Sequence, residues 1–248
     1  MYAGIFLILL ILLWQLLSSF EVVPSNMLPS PVDVVKALIN DFGNISHHAV
    51  ITFSEGLLGL FLGIILAFLV ALLMDSSNFI HKATYPLLII SQTIPVIAIA
   101  PLLVLWMGYG PAPKILLVLI VCFFPISIGL LNGFKSADVD AINLLKAMGA
   151  SKIDVFRHIK WPYSLNGFFS GLKISVSYSI VGAVIAEWLG GNDGLGVYMT
   201  RVKKNFNFDK MFAAILLIVL VSLFLMWFVS LIEKWTMPWK KYEKVFNK

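Results

Sequence analysis

Charged residues are scarce in this sequence. Asp, Glu, Lys and Arg together make up 12% of its 248 residues, whereas 60% are hydrophobic. Soluble globular domains carry about twice that share of charge. The one cysteine, Cys122, lies within an apolar segment, which excludes an internal disulfide and a thiolate metal cluster. The composition therefore excludes a soluble enzyme or DNA-binding domain as the whole chain, and it indicates an integral membrane protein.

Motifs for catalysis and for nucleotide or metal binding are also missing. The glycine-rich stretch GGNDGLG at 190–196 lacks the Lys-Ser/Thr pair of a phosphate-binding loop, so it predicts a turn and no ATPase activity. The histidines form neither an HExxH motif nor a Cys/His cluster. They are His47, His48, His81 and His158. We therefore predict a chain that is not an enzyme, with no catalytic residue, no metal site and no cofactor of its own.

Hydrophobic residues occur in six long blocks, each near the ~20 residues that a membrane-spanning helix needs. The sequence predicts an all-α integral membrane protein with about six transmembrane helices, in a single domain over residues 1–248 with a core at about 49–236. A cleaved signal peptide is the alternative for the first block, which has no basic segment before it and no cleavage site after it. The blocks cover 3–20, 49–74, 83–107, 115–134, 165–189 and 211–232.

Small residues recur at four-residue spacing in the second block, at Gly59, Gly63, Ala67 and Ala71. Such a stripe lets two helix backbones approach closely in lipid, where packing replaces the hydrophobic effect. Glu55 lies on the same stripe, one turn earlier. A carboxylate this near the bilayer needs water or a partner. Glu55 therefore either lines a polar pathway or lies at the membrane interface, where solvent satisfies it.

Two further blocks contain the candidates for a solute pathway. Prolines interrupt the third block, and Pro95 follows polar residues that could hydrogen-bond a passing solute or a neighbouring helix. The fifth block carries small residues at four-residue spacing from Gly167 to Ala183, together with several hydroxyls. It either lines the pathway or only packs against another helix. The predicted pathway residues are Gln92, Thr93, Ser175, Ser177, Tyr178, Ser179 and Glu187.

The longest polar stretch, 138–162, predicts two short helices joined at a sharp turn. Apolar residues recur every three positions in the first helix, and Gly149 follows where a helix end favours positive φ. Ser151 and Asp154 have the spacing of a capping box, which starts the second helix. Pro162 is expected to end that helix. Because this hairpin is basic and compact, we expect it to dock on a soluble partner.

Basic residues are distributed unevenly between the two sides that six spans define. The side with the hairpin and the C-terminal tail holds 12 of the 18 Lys and Arg residues, and the other side holds six. Cytoplasmic loops carry the excess of positive charge. The hairpin and both termini are therefore predicted to be cytoplasmic. The basic tail comprises Lys240, Lys241, Lys244 and Lys248.

The hairpin resembles the cytoplasmic EAA loop of ABC importer permeases, because Gly149 is followed by Ile159 ten residues on and by Pro162 three further. The Glu-Ala-Ala of that loop is replaced here by Asn143-Leu144-Leu145, and the leucine before the proline by Trp161. Three other segments look like the branch that imports nitrate, sulfonates, taurine and pyrimidine precursors. They are LPSPVDVVKAL, QTIPVIAIAPLLVLWMGYG and AEWLGGNDGLGVYM, and the resemblance covers roughly 28–235.

The resemblance implies a type I permease whose loop at 135–166 forms a coupling helix in a groove of an ATPase subunit. It also implies a homodimer in the cell membrane, two ABC ATPase subunits that hold ATP and Mg²⁺, and an extracytoplasmic solute-binding protein. The implied coupling residues are Asn143, Ala147, Met148, Gly149, Ala150, Ser151, Ile159 and Pro162.

Such a complex would import a small polar or anionic solute by alternating access. A sulfonate, taurine, nitrate or a thiamine-pyrimidine precursor is expected. The alternative is a secondary transporter driven by an ion gradient, which the scarcity of charge within the spans disfavours. No nucleic-acid partner is expected, although a helix–glycine turn–helix hairpin is also the shape of a DNA-binding motif.

Overall fold

The computed structural model describes residues 2–20, 24 and 27–240, and these residues form helices and connecting loops without a strand. The predicted all-α fold is confirmed. Three lysines of the predicted basic tail, Lys241, Lys244 and Lys248, lie outside the described residues. The helices are α1 Tyr2–Ser19, α2 Pro31–Asn40, α3 Phe42–Ser76, α4 Asn78–Ser91, α5 Val96–Met107, α6 Pro111–Lys135, α7 Val139–Ala147, α8 Lys152–Val155, a π turn Phe156–Lys160, α9 Trp161–Gly190, α10 Leu195–Lys204 and α11 Phe208–Thr236.

Four helical segments of the described chain are long and apolar enough to cross a membrane. They are α3, α6, α11 and the continuous run Lys152–Gly190 that contains α9. The third predicted span is not one helix, because α4 and α5 meet at an angle of 99°. Pro95 caps α5 at this bend, whereas Pro86 and Pro101 lie inside the two helices. The first predicted span is α1, an apolar helix of 18 residues, at the lower end of the length that a span needs.

The bent pair α4–α5 connects the two ends of the bundle. At one end, the Lys135 ammonium at the end of α6 lies 4.7 Å from the ring centroid of Tyr85 in α4. At the other end, Val104 of α5 packs beside Gly190, the last residue of α9. We call the end with Lys135 and the hairpin the inner end, and the end with Gly190 and α10 the outer end. The pair therefore counts as a fifth crossing.

Close backbone packing holds α3, α6 and α9 together. A Cβ atom added at Gly59 of α3 would lie 2.6 Å from the Val118 Cβ, and one at Gly63 would lie 3.1 Å from the Cys122 Cβ. On the other face of α6, Gly129 meets Gly167 of α9 backbone to backbone. The predicted small-residue stripe thus packs against α6, as its spacing indicated. This three-helix core carries the hairpin at its inner end.

A short helix, α2, covers the outer end. Ser30 caps it by accepting a hydrogen bond from the Asp33 amide at 3.1 Å. Val34 and Ala37 of α2 are buried, whereas Ile39 is exposed. The buried side is the one that packs between α1 and α11.

Candidate functional site

The inner hairpin is formed by residues close together in the sequence, at a glycine turn and a capping box. Gly149 follows α7 with φ +85°, in the left-handed region that favours glycine. The Ser151 side chain accepts a hydrogen bond from the Asp154 amide at 3.2 Å, and the Asp154 carboxylate accepts one from the Ser151 amide at 2.9 Å. This reciprocal pair is the predicted capping box. The predicted turn and the start of the second helix are both confirmed.

The predicted end of the second helix at Pro162 is wrong. The chain continues from α8 through the π turn into α9 without a break, and Pro162 lies in the first turn of α9. The Trp161 amide bonds back five residues to the Phe156 carbonyl. A π turn inserts an extra residue into a helix, and here it ends two residues before Pro162, which has no amide hydrogen. The hairpin is therefore a direct extension of a membrane helix.

Two kinds of contact attach the hairpin to the bundle. Val155 and Ile159 are buried, and Phe156 packs against Phe134 of α6. The Lys160 ammonium binds both oxygens of Asp75, at the end of α3, at 2.7 and 2.8 Å. By contrast, α7 has no buried residue. The base of the hairpin is thus fixed to α3, α6 and α9, while its tip projects.

The predicted coupling residues separate into the same two groups. Ile159 is buried at the base of the hairpin, and Pro162 is half-buried there. The other six residues surround the tip of the hairpin. Ala150 is half-buried, and the remaining five are exposed: Asn143, Ala147, Met148, Gly149 and Ser151. Two large apolar side chains at the tip are largely exposed, Met148 at 74% and Ile153 at 76%.

A cavity of 420 Å³ lies at the bend between α4 and α5, against α6 and α9. Gln92 and Tyr178, two of the predicted pathway residues, line it together with largely apolar side chains. Thr93 is exposed at the same bend, where its hydroxyl donates to the Ile90 carbonyl at 2.7 Å. The cavity brings together residues from two predicted spans, near the middle of α9.

The other predicted pathway hydroxyls lie in helix contacts. The Ser175 hydroxyl donates to the Cys122 carbonyl of α6 at 2.9 Å, and the Ser179 hydroxyl donates within its own helix to the Val176 carbonyl. Both serines are fully buried. The Ser177 hydroxyl contacts the Met226 sulfur of α11 at 3.2 Å. For these positions the geometry corresponds to the packing alternative for the small-residue stripe.

Glu187, the last predicted pathway residue, belongs to a buried polar network at the outer end. It is 1% exposed. Its carboxylate accepts from the Thr52 hydroxyl at 2.7 Å and from the Gly196 amide at 2.6 Å. Thr52 in turn accepts from the Leu195 amide at 2.7 Å, and the Gly194 amide bonds to His48 Nδ1 at 3.1 Å. We call these residues the outer network: His48, Thr52, Glu187, Gly194, Leu195 and Gly196.

The outer network explains the glycine-rich stretch. The first amides of α10 are the groups that could bind a phosphate in a loop of this kind, but α3 and α9 already occupy three of them. Gly194 has φ +120°, and a Cβ there would collide with the Glu187 carboxylate. The stretch is therefore the predicted turn, and hydrogen bonds to α3 and α9 hold it in place.

An ion pair lies beside this network. The Lys114 ammonium of α6 binds Glu55 of α3 at 2.8 Å, and the two residues are 5% and 6% exposed. The same ammonium lies 3.4 Å from the Asp193 carbonyl. Glu55 thus has a protein partner rather than solvent, in contrast to the interfacial alternative. The partner lies 59 residues away in sequence, and no local pattern could have identified it.

A third contact closes the outer end above the membrane helices. The Tyr198 hydroxyl of α10 donates to Asp41, between α2 and α3, at 2.6 Å. Burial, and then the bond to Asp41, raise the pKa of Tyr198. Burial opposes ionisation of Asp41, but the Tyr198, Asn44 and Lys210 side chains outweigh it and lower its pKa. The contact therefore holds a carboxylate and a neutral phenol.

Comparison with known proteins places these features in context. Residues 59–237 match the protein family described as "Binding-protein-dependent transport system inner membrane component". A "Probable ABC transporter permease protein" of Haemophilus influenzae is 37% identical over 214 residues, which cover 86% of this chain and 87% of the relative. "Formylaminopyrimidine transport permease protein ThiX" of Halalkalibacterium halodurans is 34% identical over 238 residues, covering 96% of this chain and 95% of the relative.

A solved structure, the inward-facing MetNI methionine ABC transporter, superposes with a TM-score of 0.68. It is 16% identical, and the match covers 78% of this chain and 96% of that chain. At this level of identity the likeness concerns the fold. It agrees with the type I permease architecture predicted from the hairpin.

Proposed function

Because the chain belongs to the family of binding-protein-dependent transport system inner membrane components, we propose that it is the membrane subunit of an ATP-driven importer that works by alternating access. The predicted branch is confirmed by relatives named for pyrimidine, sulfonate, taurine and nitrate transport. The proposed assembly contains a second copy of the chain, two ATPase subunits that hold ATP and Mg²⁺, and an extracytoplasmic binding protein. The proposed cargo is a small polar or anionic solute of the kinds that these relatives are named for.

The observation that carries the proposal is the exposed apolar tip of the hairpin. Leu144, Met148 and Ile153 are 64–76% exposed, on a polar segment outside the membrane helices. Exposed apolar groups that cluster in this way mark interaction sites. Burial in a groove of an ATPase subunit would remove that surface from water. The tip is therefore the proposed docking surface, with Ala147 to Ser151 at its centre.

The base of the hairpin provides the mechanical link. A displacement of the tip reaches α9 through the continuous helix from Lys152 to Gly190, and it reaches α3 through the Lys160–Asp75 ion pair. A ligand can shift a conformational equilibrium only if it interacts differently with the two states. We infer that nucleotide-driven closure of the ATPase subunits moves two hairpins relative to each other, and that α3 and α9 turn with them.

The cavity at the α4–α5 bend is the proposed part of the solute pathway. It is open on one side and mostly apolar, and the polar side chains of Ser91, Gln92 and Tyr178 could orient a solute. The exposed apolar residues of α5, which include Ile97 and Leu105, supply a surface for the second copy. In this arrangement the pathway runs between two copies, with the hairpins and both termini on the cytoplasmic side.

Site-directed cross-linking tests the proposal. The natural cysteine, Cys122, is fully buried, so a new surface cysteine can be labelled selectively. Ala147→Cys, at the exposed tip, should cross-link to the cognate ATPase subunit in a membrane preparation. Lys204→Cys, exposed at the outer end, is the matched control and should not. The proposal fails if Ala147→Cys gives no cross-link while ATP-dependent uptake continues.

Vesicles that contain the permease alone provide the second arm of this test. Uptake driven by an imposed ion gradient, without the ATPase subunit or ATP, would favour the secondary-transporter alternative. Uptake that requires both the ATPase subunit and ATP supports the importer.

A further inference from the structure

The inner end of the bundle contains a second cavity, of 430 Å³, between the end of α3 and the hairpin. Three lysines line it: Lys146 of α7, Lys152 of α8 and Lys160 of the π turn. Much of the remaining lining is apolar and includes Leu72 of α3 and Phe156. The cavity therefore combines a basic part with an apolar part.

The positive charge in this cavity is only partly neutralised. Asp75 is the one carboxylate that lines it, and both of its oxygens bind Lys160. Within residues 2–20, 24 and 27–240, neither Lys146 nor Lys152 forms an ion pair. Two lysines that line one cavity repel each other, and an anion bound between their ammonium groups would be attracted to both.

We expect the cavity to lie at the level of the lipid headgroups, because it adjoins the end of α3 and the start of α9. Asp75 is the second-last residue of α3, and Lys160 directly precedes α9. The adjacent turns of α3 expose Leu69 and Leu73, which in a membrane face the acyl chains. Basic pockets beside membrane helices are typical sites for anionic lipid headgroups. A phospholipid has the matching order of groups, with a phosphate next to apolar chains.

We propose that this cavity binds the phosphate group of an anionic membrane lipid, with Lys146 and Lys152 as its ligands. The lipid would bridge α7, which has no buried residue, to the end of α3. Its effect would be to order the projecting half of the hairpin. The proposed bridge does not depend on ATPase docking, so each proposal can fail without the other.

Hydrogen exchange of the full-length permease alone, in lipid vesicles, tests the bridge. Vesicles of phosphatidylcholine are compared with vesicles that contain about 30 mol% phosphatidylglycerol. In the anionic vesicles we expect the α7 amides to exchange more slowly, by about fivefold for each lysine that contacts the lipid. The double variant Lys146→Gln/Lys152→Gln should lose this difference. The matched control Lys203→Gln/Lys204→Gln removes two outer charges and should retain it.

Four results would overturn the proposal. Equal α7 exchange in the two kinds of vesicle would show that no lipid bridge forms. Slower exchange that persists in Lys146→Gln/Lys152→Gln would assign the effect to general surface charge. Slower exchange on adding inorganic phosphate to phosphatidylcholine vesicles would assign the site to a soluble anion. Slower exchange only after the ATPase subunit is added would assign the lysines to that protein.

Discussion

The two ends of the bundle differ in whether their polar groups have partners within the chain. At the outer end, Glu187 is 1% exposed and both of its carboxylate oxygens accept hydrogen bonds. At the inner end, the hairpin exposes Met148 to 74% and leaves Lys146 and Lys152 without an ion pair among the described residues. The outer network is hydrogen-bonded within one chain, whereas the inner end has the features of a surface that other molecules complete.

This difference assigns the two ends different roles, because the outer end stabilises the fold and the inner end is proposed to bind partners. A buried polar group is costly unless it is hydrogen-bonded, so a fully bonded network fixes one arrangement of its helices. The outer network joins α3, α9 and α10 in this way. An exposed apolar cluster contributes little to the folded chain and becomes favourable only on contact with a partner. Substitutions at the outer end should therefore change folding, and substitutions at the hairpin tip should change binding.

The largest effect is expected from Gly194→Ala. The residue has φ +120°, and its Cβ would collide with the Glu187 carboxylate. Backbone strain and overpacking together should lower the free energy of unfolding by about 4 kcal/mol. Gly149→Ala is the matched control, because Gly149 has φ +85° but nothing within 4 Å of an added Cβ. That change should cost about 1 kcal/mol.

Thermal unfolding in detergent, followed by circular dichroism, measures both glycine variants. If Gly194→Ala and Gly149→Ala lower the midpoint equally, the outer end is not the more tightly constrained region. The comparison between the two ends would then lose its structural basis.

A smaller loss of stability is expected from Glu187→Ala. This change removes the acceptor of the buried Gly196 amide and one partner of Thr52. Unpaired buried donors should lower the free energy of unfolding by about 3 kcal/mol. The control Asp140→Ala removes an exposed carboxylate of α7. It should change the free energy of unfolding by less than about 0.5 kcal/mol. An unchanged midpoint for Glu187→Ala would show that the network does not stabilise the fold.

The same contrast explains which features the sequence could predict. The Gly149 turn and the Ser151–Asp154 capping box depend on residues within four positions of one another, and both were predicted correctly. Thr52 and Glu187 lie 135 residues apart. Their contact depends on how α3 and α9 pack, and no spacing in the sequence contains that information. Glu187 was identified as a functional candidate, but its partners were not.

The predictions about proline were only partly correct. Pro162 was expected to end a helix, yet a π turn precedes it and the helix continues. Pro95 interrupts a span as predicted, but the size of the resulting 99° bend depends on how the helices on either side pack. Proline removes an amide donor in every case. Whether the chain then bends, widens or stops depends on tertiary packing, as Pro86 and Pro101 inside continuous helices also show.

The smallest effect on stability is expected from the double variant Met148→Ser/Ile153→Ser. Both side chains are about three-quarters exposed, so the free energy of unfolding should change by less than about 0.5 kcal/mol. Binding should respond strongly, because loss of two apolar anchors from an interface commonly costs about 2 kcal/mol or more. We expect capture of the cognate ATPase subunit to fall by more than about tenfold.

The control for this variant is Tyr109→Ser at the outer end, where the ring is 80% exposed. It removes a comparable exposed side chain and should leave ATPase capture unchanged. If Met148→Ser/Ile153→Ser binds the ATPase subunit normally, the exposed tip is not the docking surface. If it instead lowers the thermal midpoint as much as Glu187→Ala does, the hairpin tip stabilises the chain itself. The exposure of a side chain would then not show whether it serves binding or folding, because residues at both ends would stabilise the fold.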